Sequence, residues 1–149
     1  MFRNILFVCV GNICRSPTAE YWARAQLQKR GLTNITISSA GVHAVCGAPI
    51  ASTAKKILDR FDIDSSTHIA RQINQTIILN AEIIFVMEKW QHERLVIDFP
   101  SCRGKMFSLG KWSNEEILDP YQRDQIVFES VFEMIKKNWD LWQANLWNG

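Results

Sequence analysis

Two short segments that are apolar at every position constrain the fold of this chain most. They are residues 5–8 (ILFV) and residues 83–86 (IIFV), and neither shows the alternation of a strand that faces water on one side. Continuous apolar segments of this length are typical of strands that are covered on both faces, as in parallel sheets. The two segments therefore predict a parallel sheet with helices on both faces.

Further elements lie between and after these two strands. Short strands are predicted at residues 35–37 (ITI) and 105–107 (KMF). Ser16 and Pro17 fit the N-cap and the first position of a helix, because serine caps helices and proline suits their first turn. Gly31 fits the end of that helix.

Apolar residues at helical spacing predict helices at residues 50–61 and near 89–97, followed by a long last helix. The apolar face of the last helix consists of Phe128, Val131, Phe132, Ile135, Trp139 and Trp142. Strands that alternate with helices predict an α/β fold with a three-layer, doubly wound, four-stranded parallel sheet of the flavodoxin-like type. We expect one domain over residues 1–149.

Composition argues against several classes of function. The chain has 149 residues, 47% of them apolar, and a net charge of +2, which does not fit a disordered chain or a nucleic-acid binder recruited by bulk charge. The apolar run at residues 5–10 is too short for a signal-peptide core or a membrane span. We therefore expect a cytoplasmic protein with reduced cysteines and no membrane insertion. The spacing of cysteines and histidines predicts no metal site.

The loop after the first strand carries the strongest functional signal. Five residues separate Cys9 from Arg15, and the loop between them leaves a buried strand and enters a helix. Doubly wound sheets bind ligands at this edge, where backbone N–H groups and the helix dipole favour an anion. Gly11 allows a tight turn, and Asn12 tolerates the left-handed backbone conformation that such a loop needs.

A tetrahedral dianion would fit this loop. Arg15 offers a planar fork that can bind two phosphate oxygens at once. The positive field favours the Cys9 thiolate over the thiol, and Ser16 can donate a hydrogen bond to the sulfur. The loop therefore predicts a nucleophile beneath a bound phosphoryl group. The alternative is a buried cysteine at the end of a strand and an arginine at the surface.

Residues 119–121 (DPY) offer the proton donor that is needed to expel a phenolate or an alkoxide. Pro120 disfavours helical geometry at Asp119, which keeps the carboxyl group on a loop. Taken alone, the Asp-Pro pair is also an ordinary signal for a turn or a helix start.

These residues together resemble the low-molecular-weight protein tyrosine phosphatases. The segments that carry the likeness are residues 8–17 (VCVGNICRSP), 38–41 (SSAG), 64–72 (DSSTHIARQ), 86–88 (VME) and 119–121 (DPY). The likeness is greatest to the bacterial members that act beside a tyrosine autokinase in capsule and exopolysaccharide production. The expected partner is thus a phosphotyrosine protein such as an autokinase.

The resemblance implies a phosphatase that needs no metal or other cofactor. Cys9 would attack phosphorus and form a cysteinyl-phosphate, and Arg15 and the loop amides would stabilise the transition state. Asp119 would protonate the leaving tyrosyl oxygen and then activate the water that releases phosphate. The residues expected to bind the substrate are Val10, Gly11, Asn12, Ile13, Cys14, Ser16 and Tyr121.

Several residues match family positions outside the chemical step. Asn12, Ser39 and His68 match positions that hold the loop by hydrogen bonds. The resemblance also implies that Cys14 can capture an oxidised Cys9 as a disulfide.

The chain departs from the family pattern at the rim of the expected cleft. Residues 42–47 (VHAVCG) contain no aromatic residue where eukaryotic members have one, and Gln122 stands in place of a second tyrosine. Tyr121 remains a candidate wall for a flat phenyl ring.

Two other functions stay open from the sequence. A thiol-dependent arsenate reductase shares this fold and loop, but it uses further cysteines near residues 80–92, where this chain has none. A non-catalytic phosphotyrosine-binding module would have no use for Asp119. The sequence assigns no physiological substrate, oligomeric state or Cys9–Cys14 disulfide in the cell, and it gives no role to Trp22, Trp90, Trp112 or Trp147.

Overall fold

The fold is built on one parallel sheet, seen in a computed structural model that describes residues 2–147. Its strands are β1 (Asn4–Cys9), β2 (Thr36–Gly41), β3 (Ile83–Val86) and β4 (Met106–Ser108), in the order β2-β1-β3-β4. The chain first adds β2 on one side of β1 and then crosses to the other side for β3. The four-stranded, doubly wound parallel sheet is confirmed.

Helices cover both faces of the sheet, as the apolar strands predicted. The helices are α1 (Arg15–Lys29), α2 (Ser52–Asp59), α3 (Gln75–Asn80), α4 (Lys89–Asp98) and α5 (Gln125–Leu146). The side chains of β1 alternate between the faces: Ile5 and Phe7 join the core with α1, α2 and α5, whereas Leu6 and Val8 join the core with α3 and α4. The three-layer α/β architecture is therefore confirmed.

The long last helix packs as its periodicity predicted. All six residues of its predicted apolar face are buried. Among the tryptophans without a predicted position, Trp22 and Trp147 are buried, while Trp90 and Trp112 are 41% and 46% exposed. No helix within residues 2–147 is both long enough and apolar enough to cross a lipid bilayer.

The start of α1 differs from the prediction. The helix begins at Arg15, and its N-cap is Cys14, whose side chain makes no capping hydrogen bond. Ser16 is therefore a helical residue and not the N-cap, and Pro17 is the third residue of the helix. The predicted end is confirmed: Gly31 has a φ of +74°, and its N–H donates to Gln28 O.

Strand β2 and helix α3 show where local sequence signals fall short. Residues 38–41 (SSAG) have little preference for strand, yet they extend β2 to Gly41 because they pair with β1. Helix α3 was not predicted, since it has only 6 residues; Asn74 caps it by accepting the N–H of Ile77. Helix α2 is shorter than predicted and ends before Phe61.

Candidate active site

The loop of residues 9–15, which we call the anion loop, joins the carboxyl end of β1 to α1. Its carbonyl groups bond to the segment after β2: Cys9 O, Val10 O and Gly11 O accept the N–H groups of Val42, His43 and Val45 at 2.9–3.0 Å. The approach is close, because a Cβ on Gly41 would lie 2.5 Å from Val10 O. These three carbonyls are thus held by the segment that follows β2.

The amide groups of the anion loop are left for a ligand. Within residues 2–147, the N–H groups of residues 11–14 donate to no protein acceptor. Unpaired N–H groups gathered at the start of a helix form a site for an anion, which gains both their hydrogen bonds and the helix dipole. Asn12 adopts the left-handed conformation at φ 58°, as predicted for the turn of such a loop.

Asn12 is the hub that holds the anion loop. Its Nδ2 donates to Ser16 Oγ and Ser39 Oγ, both at 2.9 Å, and its Oδ1 accepts the N–H of Arg71. Its carbonyl oxygen lies 2.7 Å from His68 Nε2, which therefore acts as the donor. The structure brings Ser39 and His68 against the loop, where the resemblance implied them.

Cys9 lies at the end of β1 with its side chain beneath the loop. Its Sγ is 2.9 Å from Ser16 Oγ. Since Ser16 Oγ already accepts a hydrogen bond from Asn12, its own hydrogen is available for the Cys9 sulfur. The Ser16 hydroxyl is thus placed to donate a hydrogen bond to the Cys9 sulfur.

Arg15 is buried, with 2% of its surface exposed, and its guanidinium is anchored at one end. Nη1 donates to the carboxylate of Glu88 and, at 2.9 Å, to Ile117 O. Both hydrogens of Nη1 are therefore used by the protein. Within residues 2–147, Nε and Nη2 hydrogen-bond to no protein atom, so they are available to a ligand.

Asp119 lies on the loop before α5, as predicted, and its side chain is 45% exposed. Its Oδ2 is 3.6 Å from Arg15 Nη2, and its Oδ1 accepts the N–H of Tyr121 at 3.0 Å. The carboxyl group is thus held at the mouth of the site while it keeps access to water.

A cavity of ≈ 160 Å³ joins these groups. It is lined by Cys9, Val10, Gly11, Ile13, Cys14, Arg15, His43, Val45, Asp119 and Tyr121. The three predicted catalytic residues and most of the predicted binding residues thus share one cavity. Asn12 and Ser16, also predicted to bind substrate, do not line it; both are fully buried behind the loop and support it.

Comparison with known proteins agrees with this geometry. The family model described as low molecular weight phosphotyrosine protein phosphatase matches residues 4–148. The chain belongs to this family. The predicted relationship, and with it the prediction of an enzyme of this class, is confirmed.

Individual members of the family align over nearly the whole chain. The low molecular weight protein-tyrosine-phosphatase Ptp of Acinetobacter johnsonii is 40% identical over 135 residues, which is 91% of this chain and 92% of that protein. The enzyme Wzb of Escherichia coli K12 is 39% identical over 98% of this chain and 97% of its own. Vibrio vulnificus Wzb, solved in complex with benzylphosphonate, superposes with a TM-score of 0.91 at 32% identity, over 98% of this chain and all of that one.

Some residues of the site were not assigned a role from the sequence. Glu88 contacts Arg15, and His43 and Val45 line the cavity. A signal existed for all three, since each follows a strand at the sheet edge where the anion loop lies. Glu20 lies in α1, and its Oε1 accepts a hydrogen bond from the Ser39 hydroxyl at 2.6 Å. No sequence signal had indicated Glu20.

Cys14 carries a thiol whose pKa is raised. Burial is the main cause, and the negative charges of Cys9 and Asp119 add to it, while Arg15 opposes it. Cys14 therefore stays protonated at neutral pH. Within residues 2–147, no three His, Cys, Asp or Glu side chains form a group that could hold a metal ion.

Proposed function

We propose that this protein hydrolyses phosphotyrosine through a cysteinyl-phosphate on Cys9. The observation that carries the proposal is the shared cavity: Cys9, Arg15 and Asp119 line it together, and the free amides of the anion loop form its floor. Hydrolysis of a phosphoester needs a nucleophile, hydrogen-bond donors for the phosphoryl oxygens and a proton for the leaving group. These three needs match the three kinds of group in the cavity.

The first step breaks the phosphoester bond. The Cys9 thiolate attacks phosphorus and forms the S–P bond, while the P–O bond to the tyrosyl oxygen breaks. That oxygen takes the electron pair of the bond and the proton of Asp119. Arg15 Nε and Nη2, together with the loop amides, bind the equatorial oxygens, whose charge grows in the transition state.

The second step releases phosphate. Asp119, now a carboxylate, accepts a proton from water, and the water oxygen attacks phosphorus. The S–P bond breaks, and its electron pair returns to Cys9 as the thiolate. The hydroxyl of Ser16, 2.9 Å from Sγ, stabilises this thiolate as a leaving group by hydrogen bonding.

The substrate of this reaction is an aryl phosphate on a protein. Val45 and Tyr121 stand at the rim and offer apolar surface to a phenyl ring. The related Vibrio structure holds benzylphosphonate, a phosphonate with an aromatic ring, which supports the same choice. As the family resemblance implies, we propose a bacterial tyrosine autokinase of polysaccharide export as the partner. A single domain over residues 1–149 and a cytoplasmic address stay predictions.

The test compares hydrolysis of a phosphotyrosine peptide by the parent, by Cys9→Ser and by Cys46→Ser. Cys46 is an exposed cysteine outside the cavity, so its loss controls for thiol removal alone. We expect turnover by the parent and by Cys46→Ser, and none by Cys9→Ser, which should still bind the peptide.

Two results would contradict the proposal. Binding of the peptide without turnover by the parent would instead indicate a phosphotyrosine-binding module. Thiol-dependent reduction of arsenate, without peptide hydrolysis, would indicate a reductase. The autokinase partner is tested separately, by identifying the phosphoproteins that Cys9→Ser retains from a lysate of a polysaccharide-producing bacterium. If no tyrosine autokinase is among them, the proposed partner is wrong.

A further inference from the structure

A tryptophan at the surface contacts the group that anchors Arg15. Trp90 Nε1 donates to Glu88 Oε2 at 2.5 Å, while the other carboxylate oxygen, Oε1, accepts Arg15 Nη1. Exposure falls along this line, from 41% for Trp90 to 23% for Glu88 and 2% for Arg15. The three residues form a connected path from solvent to the cavity.

The backbone of Glu88 is fixed independently of this path. Glu88 is the N-cap of α4, where its N–H donates to Gln91 Oε1 at 3.1 Å and its carbonyl oxygen accepts the N–H of Gln91 at 3.1 Å. The main chain at Glu88 therefore cannot shift easily. The orientation of the carboxylate plane depends on what each of its two oxygens binds, and Trp90 supplies the donor for the oxygen that does not face Arg15.

The contacts of Trp90 differ from those of the other tryptophans. Trp22, Trp112, Trp139, Trp142 and Trp147 each pack against another aromatic ring. Among residues 2–147, Trp90 has no such aromatic pair, and its indole N–H is bound to a carboxylate. A packing role therefore explains Trp90 poorly, whereas a hydrogen-bonding role explains its orientation.

We propose that Trp90 is a positioning residue for the phosphatase reaction, which it serves by locking Glu88 onto Arg15 Nη1. The inference rests on the proposed function. With Nη1 held by Glu88 and Ile117 O, the plane of the guanidinium is set, and Nε and Nη2 keep a fixed direction. Fixed donors stabilise transition-state charge without reorganising during the reaction, so Trp90 contributes more to the chemical step than to ground-state binding.

The test uses Trp90→Phe, which removes the indole N–H and keeps an aromatic ring. Trp112→Phe is the matched control, since Trp112 is similarly exposed and donates to no carboxylate among residues 2–147. For Trp90→Phe we expect kcat on para-nitrophenyl phosphate to fall about threefold to tenfold. The reason is that a water molecule can only partly replace the hydrogen bond that the indole N–H donates to the charged Glu88 carboxylate. KM should change less than about twofold, since uniform binding is retained. Trp112→Phe should leave both unchanged.

Vanadate binding provides a readout that does not need turnover. Vanadate adopts the five-coordinate geometry of the phosphoryl transition state, and inorganic phosphate does not. We expect Trp90→Phe to weaken the binding of vanadate, measured by calorimetry, by the same factor by which it lowers kcat. Its affinity for inorganic phosphate should stay nearly unchanged. If the parent binds vanadate but turns over no phosphate ester, the proposed function fails while the vanadate comparison still decides the role of Trp90.

A double-mutant cycle with Glu88→Gln separates a path through Glu88 from any other effect. If Trp90 acts through Glu88, Trp90→Phe should have little further effect on vanadate affinity once Glu88 is changed. Additive losses in the cycle would overturn the proposal. Equal vanadate affinities for Trp90→Phe and Trp112→Phe would overturn it as well.

Discussion

The buried thiol of Cys14 predicts a specific loss of stability at alkaline pH. Burial, Cys9 and Asp119 raise the pKa of Cys14 in the folded protein above its ordinary value. In the unfolded chain the thiol is in water and ionises normally. The folded state therefore holds a proton that the unfolded state gives up, and the free energy of unfolding must fall as pH rises above the unfolded pKa.

The size of this loss follows from proton linkage. The ordinary pKa of the thiol is 9.0, and the raised folded value keeps Cys14 protonated well above it. With one proton at stake, the free energy of unfolding should fall by about 1.4 kcal/mol between about pH 8 and about pH 10. Below about pH 8 the thiol is protonated in both states and contributes no pH dependence.

The assay is urea unfolding of the parent, Cys14→Ser and Cys46→Ser under reducing conditions at both pH values. Cys46 is exposed, so its removal controls for the loss of one thiol. Burial also raises the pKa of Cys102, but Cys102 is present in all three proteins and its contribution cancels. We expect Cys14→Ser to lose about 1.4 kcal/mol less stability than Cys46→Ser across this range. Equal losses in the two variants would refute the reasoning.

The protonated state of Cys14 also matters for the proposed chemistry. Cys14 lines the same cavity as Cys9, so a second thiolate there would repel a phosphate dianion. As a thiol, it brings no charge to the site and leaves Cys9 as the reactive sulfur. It can still give up its proton to a base once Cys9 has been oxidised, as formation of a disulfide requires.

The remaining predictions concern single residues. Arg15→Lys should lower kcat/KM at least about 100-fold in a steady-state assay, because an ammonium cannot bind two phosphate oxygens in one plane. Asp119→Asn should slow aryl phosphates with poor leaving groups by about 10²–10⁴-fold, and those with good leaving groups much less; equal losses would remove it from the acid role. Peroxide inactivation should be reversed by a reducing thiol in the parent but not in Cys14→Ser, measured as recovered activity; full recovery there would exclude a protective disulfide with Cys9. Trp139→Ala should lower the free energy of unfolding by about 3–5 kcal/mol in a denaturant titration, because Trp139 is fully buried against Phe7 and Phe85.

The sheet was predictable because its apolar segments have one physical explanation. A strand such as β3, apolar at all four positions, must be covered on both faces, and only parallel sheets with flanking helices do this routinely. Strand β2 was harder to predict, since residues 38–41 pair through their backbone and have side chains that favour turns. Its length is set by the neighbouring β1, a contact that local sequence does not record.

The predicted residues of the anion loop are close in sequence, whereas the missed residues Glu88 and Val45 follow neighbouring strands. Cys9 and Arg15 belong to one continuous loop, so their proximity follows from chain connectivity alone. Glu88 reaches Arg15 only because β3 lies beside β1, and Val45 reaches the cavity only because β2 lies on the other side. Strand order therefore decides which residues complete the site. The predicted flavodoxin-like sheet includes this order, but the spacing of motifs does not show which side chains of neighbouring strands meet.

The failed prediction of the α1 N-cap has a functional cause. Ser16 is the best capping residue of the segment, yet its hydroxyl is bound to Asn12 and lies beside the Cys9 sulfur. The first N–H that a cap at Ser16 could accept, that of Thr18, is already bonded to Cys14 O, because the helix begins two residues earlier. The N–H groups of residues 11–14, just before the helix, are left for an anion. The helix instead begins at Arg15, two residues earlier than predicted, behind an uncapped Cys14, and the network around Asn12 supplies the rigidity that a cap would have given. Local stability has been given up where the site requires free donors, as expected of a loop that binds and transfers a phosphoryl group.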